Sequence, residues 1–414
     1  MGKSALARSV FVVRQPIFHR ARSVHGYELL FRPNLAPGST PADSDASAVE
    51  LIASALVDIG LEDLTGGRRG FVPLTRSLLL GHVADLLPPD LITLEVLDNV
   101  DADADLADAC RRLRTGGYTI AMDDFVLAEA DHPFLDLADI VKVDFFATDP
   151  DDRARLARDL RGRGIRPLAQ HVETEDDFVR AEANGYEYVQ GSFFSKPIVH
   201  EGKVIEGSKL VYLRLLEEVH RPRMSLDDIE NTLKQDVALA YKLLQFINSV
   251  WFGLRYEVRS IKRALVLLGP KEIRKWFALV SLRQMGTDKP DELFLRSAVR
   301  AKMGEAVAAM ADMVECRSEL FLMGMFSVID ALLDAPMETV LAKLPLDQRV
   351  KGALLGKDTP FRPVYDLVTA YEAGRWDEFA ESADCLGIDP GDVPSVWAES
   401  VRWANQAFAE VSVV

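Results

Sequence analysis

The chain has little cysteine, no long uncharged apolar run and no histidine in its last part. Its three cysteines, Cys110, Cys316 and Cys385, are too few and too scattered for a disulfide framework or a cysteine metal knuckle. No uncharged apolar segment approaches the roughly 18 to 20 residues that cross a membrane, so we expect a reduced, cytoplasmic protein. Because no histidine follows His220, a His–Asp metal centre is excluded from the last part of the chain.

The composition is that of a folded protein with more than one core. The chain has 414 residues, of which 48% are hydrophobic and 27% are charged. That length fits two domains. The formal net charge of −16 opposes binding to nucleic acid or to an anionic membrane unless a local basic patch is present. The composition as a whole therefore indicates neither partner.

Residues 1–200 and 201–414 differ in their hydrophobic patterns. Eight β-branched or aromatic runs recur in the first part, mostly separated by segments long enough for a helix, which is typical of a (β/α)₈ barrel. The link HRARS between the first two runs is too short for a crossover helix, so we expect a modified TIM barrel whose first strand is antiparallel. The second part carries long amphipathic segments and predicts an α-helical bundle. The eight runs begin at Ser9, Val24, Arg69, Leu91, Tyr118, Asp139, Arg166 and Tyr186.

Acidic residues stand at the carboxyl ends of the predicted strands, where barrels of this kind place their catalytic groups. In the run TIAMDDF, Asp123 and Asp124 are adjacent, and neighbouring buried carboxylates are commonly compensated by a divalent cation. Facing solvent or capping the next helix would explain any single acid in this set. The whole set predicts a converging site for a hard cation. It comprises Glu28, Glu95, Asp123, Asp124, Asp144 and Glu173, with Lys142, Gln170 and Gln190 beside them.

Six short motifs in the first part follow one another in a recognisable order. They are QPIF at Gln15, YELLFR at Tyr27, LEVLD at Leu94, MDDF at Met122, VKVD at Val141 and VQGSFFSKP at Val189. With these motifs, residues 9 to about 197 resemble the EAL domain. The resemblance implies a barrel phosphodiesterase that opens cyclic di-GMP into linear pGpG with two divalent metals.

The resemblance also assigns roles to individual residues. The metal ligands of the family correspond to Glu28, Glu95, Asp123 and Asp124, the last of which bridges toward the second metal. Groups near the dinucleotide correspond to Gln15, Arg32, Asp124 and Gln190. Lys142 matches the active-site lysine of the family.

Four positions depart from the pattern of the family. Pro73 stands where the family has an asparagine ligand, and proline offers no side-chain oxygen. Gln170 replaces the metal-binding, water-activating glutamate of an E-G-V-E stretch, which reads QHVE here. Val126 and Asp98 replace a glycine and a longer glutamate near the active-site loops. Since two-metal hydrolysis needs a full set of carboxylates, we expect a degenerate phosphodiesterase in which Lys142 and Gln170 are vestigial and the chain is not an enzyme.

The helical part resembles a second family. LKQDVALAYKLLQFINS and the pattern SI-x-x-A followed by apolar residues and LG, from Ser260 to Gly269, are similar to the HDOD module, a helical bundle related to metal-dependent HD phosphohydrolases. Seven basic residues crowd one stretch of this part. A solvated helix face is the default explanation of that stretch, and a nucleic-acid patch is the alternative. The seven are Arg255, Arg259, Lys262, Arg263, Lys271, Arg274 and Lys275.

These observations leave three functional hypotheses. The leading one is a cytoplasmic bacterial signalling adaptor, in which an inactive barrel senses cyclic di-GMP and the HDOD part binds partner proteins. It requires no cofactor, accommodates at most one Mg²⁺ or Mn²⁺, and allows a homodimer. The first alternative is an active, metal-dependent cyclic di-GMP phosphodiesterase that produces pGpG. The second is a nucleic-acid-binding regulator that uses the basic stretch, which the acidic net charge disfavours.

Overall fold

The computed structural model describes most of the chain and divides it into two compact units. The described residues are 11–32, 60–81, 84–97, 103–125, 135–196, 207–219, 226–235, 237–248 and 256–412. The first unit comprises Met1–Lys196, Tyr371–Asp377 and Pro390–Ala398, and the second comprises Pro197–Ala370, Glu378–Asp389 and Glu399–Val414. The predicted domain boundary at residue 200 lies outside the described residues and stays a prediction.

The first unit contains a closed barrel of eight strands in chain order. Strand β1 is antiparallel to both of its neighbours, β2 and β8, and every other adjacent pair is parallel. Residues 20–23 alone connect β1 to β2, which leaves no room for a crossover and makes the antiparallel pairing necessary. The predicted modified TIM barrel is therefore confirmed. Its strands are β1 (Phe11–His19), β2 (Val24–Arg32), β3 (Arg69–Leu74), β4 (Ile92–Val96), β5 (Thr119–Phe125), β6 (Ile140–Asp144), β7 (Arg166–Gln170) and β8 (Tyr188–Gln190).

Short helices connect the parallel strands. Side-chain caps mark the starts of some of them: Asp103 accepts a hydrogen bond from the backbone N–H of Leu106, and Thr174 accepts one from that of Asp177. The helices are α1 (Leu61–Thr65), α2 (Arg76–Leu80), α3 (Ala104–Thr115), α4 (Pro150–Gly162) and α5 (Glu175–Asn184).

An apolar layer fills the barrel below its mouth. Side chains from six different strands form one buried cluster: Ile17, Phe71, Ala121, Ile140, Leu168 and Tyr188. Because side chains two positions apart on a strand share one face, the next inward layer toward the mouth is set by sequence. It consists of Gln15, Pro73, Asp123, Lys142, Gln170 and Gln190. Because the layer changes from apolar to polar within two residues along each strand, the candidate site lies in the polar layer.

The described residues after 206 form helices and no strands. Gly269, which has φ 72° and precedes Pro270, interrupts the longest of the described helices. Trp276 and Phe277 are buried in the core, and among the described residues no helix is long and apolar enough to span a membrane. The helices are α6 (Gly207–Val219), α7 (Leu226–Gln235), α8 (Val237–Ile247), α9 (Ile261–Met285), α10 (Asp291–Met310), α11 (Arg317–Phe326), α12 (Ile329–Leu333), α13 (Met337–Lys343), α14 (Gln348–Leu354), α15 (Arg362–Glu372), α16 (Trp376–Leu386) and α17 (Val393–Ser412).

Candidate active site

A buried lysine stands at the centre of the polar layer. Lys142 on β6 is fully buried, and its ammonium lies among three carboxylates from three other strands. Its Nζ atom is 3.1 Å from Glu28 Oε1, 3.0 Å from Glu95 Oε1 and 2.9 Å from Asp123 Oδ1. Burial by itself would lower the pKa of Lys142, but Glu95, Glu28 and Asp123 together raise it well above its usual value. The lysine is therefore held as a fixed positive charge.

Glu95 is the least compensated acid of the cluster. Its side chain has no exposed surface, and neither carboxylate oxygen has a hydrogen-bond partner among the residues that the structure describes. The ammonium of Lys142 lies 3.0 Å from Oε1, so that contact is electrostatic attraction without well-aligned hydrogen-bond geometry. Burial and the neighbouring Glu28 raise the pKa of Glu95 well above its ordinary range, although Lys142 opposes the shift. Such a carboxylate requires further positive charge to stay ionised.

The three carboxylates fit a divalent cation. Glu28, Glu95 and Asp123 each offer an oxygen, and these oxygens all lie within 4.8 Å of one another. Oxygen ligands of this kind are those that Mg²⁺ and Mn²⁺ prefer. The three acids outnumber the ammonium of Lys142 by two charges when all are ionised, which is the charge of one divalent ion. The buried carboxylate of Glu95 favours an ion at this place, because neither of its oxygens has a hydrogen-bond partner among the described residues.

Amide side chains hold the carboxylates in position. Gln190 Nε2 donates to Glu28 Oε2 and lies 3.3 Å from Gln15 Oε1. On the other side, Gln170 Nε2 donates to Asp123 Oδ1 at 2.9 Å. Gln170 is thus a donor that orients a metal-ligand candidate, and it is not isolated from the cluster. This arrangement restricts the rotamers of both carboxylates before any ligand binds.

Several predicted site residues lie elsewhere or outside the described residues. Asp144 accepts hydrogen bonds from the backbone N–H groups of Phe146 and Ala147, both at 2.8 Å, in the turn that follows β6, and the next helix is capped by Asp149 instead. Glu173 is exposed and pairs with Lys196 at 3.2 Å. Neither acid joins the cluster in the barrel mouth.

The remaining predicted positions are Pro73, Asp124, Asp98 and Val126. Pro73 pairs in register with Glu95 on the neighbouring strand, so the position that lacks a ligand oxygen does adjoin the site. Asp124 lies on β5, but its side chain is outside the described part of the structure. Asp98 and Val126 also lie outside the described residues. Their predicted effects stay predictions.

Two features near the site were not predicted. His171, in the stretch QHVE, has φ 58°, the left-handed conformation that favours glycine. This conformation gives a physical reason for the glycine at that place in the E-G-V-E pattern. The second feature is the position of Arg32, whose guanidinium lies over the ring of Trp376, with 5.8 Å between Cζ and the ring centroid. No local pattern in the sequence connects these two residues.

Comparison with known proteins supports both resemblances. A family model for the EAL domain matches residues 3–197, and one for the HDOD domain matches residues 209–336. A Vibrio cholerae protein named cyclic di-GMP phosphodiesterase CdgJ is 33% identical over 402 residues, which cover 96% of this chain and 93% of that protein. The Bacillus subtilis protein YuxH, described as uncharacterized, is 31% identical over 96% of this chain and 98% of its own length. Among solved structures, the manganese and cyclic di-GMP complex of Klebsiella pneumoniae BlrP1 is 20% identical, with a TM-score of 0.38 over 46% of this chain and 56% of that chain.

These findings correct one prediction. The expectation that the chain is not an enzyme is wrong, because a Vibrio cholerae relative that matches 96% of this chain is named a phosphodiesterase. The physical reason lies in the cluster: three carboxylates still converge on Lys142, and Gln170 contributes a hydrogen bond to Asp123 where we expected only a lost charge. Degeneracy inferred from Pro73 and Gln170 alone has no support in these observations.

Proposed function

Since this chain belongs to the family of proteins that join an EAL domain to an HDOD domain, its place is in cyclic di-GMP signalling, and we propose that its barrel is a metal-dependent phosphodiesterase that converts cyclic di-GMP to pGpG. The observation that carries the proposal is the buried cluster of Glu28, Glu95 and Asp123 around Lys142. Mg²⁺ or Mn²⁺ is the proposed cofactor, because the cluster offers only carboxylate oxygens to it.

Each residue of the cluster has a distinct task in this proposal. Glu28, Glu95 and Asp123 would hold the cation, which when bound supplies Lewis-acid polarisation of the phosphodiester and a more acidic water. Lys142 keeps its positive charge next to the developing negative charge on phosphate, because three carboxylates surround its ammonium. Gln170 and Gln190 keep Asp123 and Glu28 in fixed orientations. An amide cannot accept a proton in this pH range, so Gln170 orients a ligand and is not the base.

The proposal is tested by incubating the purified full chain with cyclic di-GMP and either Mg²⁺ or Mn²⁺, with chromatographic detection of pGpG. We expect turnover that requires the metal and falls by about 1,000-fold in Glu28→Gln, since a metal site loses its function when one ligand is removed. Glu182→Gln, which changes an exposed carboxylate on α5, is the matched control. Absence of pGpG with both metals from folded wild-type protein would contradict the proposal.

Calorimetry with Mn²⁺ alone gives a readout independent of turnover. The wild-type chain and Glu182→Gln should bind the ion, whereas Glu28→Gln should bind it at least about 10-fold more weakly, because one carboxylate ligand is lost. Equal affinity in all three proteins would show that the ion does not bind at the cluster.

For the second unit we propose binding to protein, including self-association into a homodimer. Val266 and Leu267, adjacent near the start of α9, have 63% and 53% of their surface exposed, although both are large aliphatic side chains. Exposed apolar neighbours of this kind are typical of a contact surface. Sedimentation of the wild type and of a Val266→Asp, Leu267→Asp double variant over a range of concentrations tests the homodimer. A wild-type protein that stays monomeric at every concentration would rule that form out.

A further inference from the structure

The mouth of the barrel includes a tryptophan from far along the chain. Trp376, the first residue of α16, belongs to the same compact unit as the barrel, because that unit includes Tyr371–Asp377. It lies beyond the residues matched by either family model, which end at 197 and 336. Its contacts therefore concern a residue to which neither family pattern assigns a role.

The register of the first two strands places Trp376 at the mouth. Phe11 and Arg32 are paired at the start of β1 and the end of β2. Because β2 is parallel to β3, its last residue lies at the carboxyl end of the barrel, where Glu28 also points inward. Arg32 follows Glu28 by four residues, so both side chains leave the same face of the strand. Trp376 contacts Phe11 and Arg32 and therefore lies at the carboxyl end of the barrel.

Trp376 packs against aromatic neighbours and also contacts Arg32. Its ring meets Phe11 edge-on at 5.7 Å and Tyr371 edge-on at 5.6 Å between ring centroids. Both of those rings are buried, and Tyr371 also packs on Trp397 at 5.8 Å. The guanidinium of Arg32 lies over the indole, 5.8 Å from its centroid, which is within the range of a cation–π contact.

A cation–π contact of this kind suits an arginine that must recognise phosphate. A guanidinium held over an aromatic ring by a cation–π contact keeps N–H groups that can donate to phosphate oxygens. A free arginine side chain loses rotamer entropy when it binds, and a ring that already orders it reduces that cost. The order that Trp376 imposes on Arg32 should therefore appear as affinity for an anionic substrate.

We propose that Trp376 is a positioning residue that holds Arg32 for contact with the phosphate of the cyclic dinucleotide. The inference rests on the proposed phosphodiesterase function, because it takes that substrate as the ligand of Arg32. Trp376 acts through Arg32 and not on the reacting atoms, so its removal changes substrate binding and leaves the chemical step unchanged.

The test compares Trp376→Leu with Trp376→Phe in the full chain. Leucine keeps apolar bulk without a ring, whereas phenylalanine keeps a ring that can still make a cation–π contact with the guanidinium. We expect Trp376→Leu to raise KM for cyclic di-GMP about 5- to 10-fold with kcat within about 2-fold, and Trp376→Phe to raise KM by less than about 3-fold. Trp403→Leu is the matched control, because Trp403 has similar contacts with Phe321 and Lys302 in the second unit. Its kinetic constants should match those of the wild type.

A double-mutant cycle with Arg32→Ala separates positioning from a general structural effect. In the Arg32→Ala background, Trp376→Leu should raise KM by less than about 2-fold further, since the residue it positions is already absent. Full additivity of the two effects would overturn the inference, and so would a Trp376→Leu variant indistinguishable from Trp403→Leu.

A binding measurement keeps this test separate from the proposed function. Calorimetry with cyclic di-GMP and Ca²⁺ should give a dissociation constant that rises about 5- to 10-fold in Trp376→Leu and not in Trp403→Leu. If the wild type binds the dinucleotide with Ca²⁺ but yields no pGpG with Mg²⁺ or Mn²⁺, the phosphodiesterase proposal fails and the same ratio of dissociation constants still decides the role of Trp376. Wild-type protein that neither turns over nor binds the dinucleotide would overturn both.

Discussion

Two buried lysines, one in each unit, have different electrostatic surroundings. Lys142 in the barrel faces three carboxylates, and among the described residues no second cation forms an ion pair with them. Lys275 on α9 is also buried, but it shares Glu305 with a second cation, Lys302. A further salt bridge joins it to Glu272 at 2.8 Å, so two lysines face two glutamates. The second cluster is balanced within the chain, whereas the first has an excess of negative charge.

The pKa values of Glu95 and Glu305, one carboxyl group from each cluster, shift in opposite directions. Burial raises the pKa of Glu95, and the neighbouring Glu28 and Asp123 raise it further. Burial would likewise raise the pKa of Glu305, but hydrogen bonds from Lys275 and Lys302 lower it below the ordinary value. Buried ion pairs therefore do not by themselves indicate function. The informative feature is a buried charge that the chain leaves uncompensated.

The largest expected effect is on turnover of cyclic di-GMP, which should depend on the barrel cluster and not on the cluster in the second unit. Glu95→Gln should lower turnover of cyclic di-GMP by about 1,000-fold or more, because it removes a metal-ligand candidate. In the presence of a chelator its unfolding midpoint should be no lower than that of the wild type, since the variant removes repulsion with Glu28. Turnover assays and thermal denaturation measure the two quantities. A large loss of stability with unchanged turnover would make the barrel cluster structural.

Metal addition should stabilise only the cluster with the excess charge. At a Mn²⁺ concentration 100-fold above the dissociation constant, a ligand that binds only the native state adds about 2.7 kcal/mol to the free energy of unfolding. We expect this gain in the wild type and in Glu305→Gln, measured as a shift of the unfolding midpoint, and at most about half of it in Glu95→Gln, where one ligand is lost. An equal gain in all three proteins would show that the ion binds elsewhere.

Breaking the balanced cluster should affect stability and not catalysis. Glu305→Gln leaves Lys275 and Lys302 near each other with one carboxylate fewer, so we expect a loss of about 2 kcal/mol in the free energy of unfolding. Chemical denaturation measures this loss, and kcat for cyclic di-GMP should stay within about 2-fold of the wild type. A large change in kcat would contradict the assignment of this cluster as purely structural.

The smallest effect is the pH dependence that Glu305 contributes. Its pKa is lower in the folded chain than in the unfolded one, so its contribution is complete above the unfolded value and is lost as pH falls through the folded value. Because Glu305 retains some solvent exposure, we expect its ionised form to contribute about 1 kcal/mol to the free energy of unfolding. Comparing the acid unfolding of the wild type with that of Glu305→Gln isolates the contribution of Glu305. The wild type should lose more stability with falling pH. Parallel curves would show that the lysines do not stabilise the charged form.

Much of the barrel could be predicted from sequence because its signals are local. Alternation with period two places Ala121 in the apolar layer and Asp123 in the polar layer above it, so the strand TIAMDDF defines its own two faces. The same argument brings Lys142 and Gln170 to the mouth. The short link between β1 and β2 likewise decides their antiparallel pairing.

Other features could not be predicted because they depend on partners distant in sequence. The basic stretch predicted a solvated helix face, yet Lys275 within it is buried because Glu305, thirty residues further along, offers its carboxylate. An amide at Gln170 indicated lost charge, and only the contact with Asp123 reveals it as a donor. The ring of Trp376 beneath Arg32 is separated from it by most of the chain.

The sequence by itself determined the strands, their inward faces and the identity of the acids at the mouth, because hydrophobic alternation and chain connectivity are properties of neighbouring residues. Only the tertiary structure decided which of those acids converge, how far their charge is compensated and which distant ring contacts Arg32. The physical reason is that desolvation and Coulomb interactions depend on distances in space, and the closure of the barrel sets those distances.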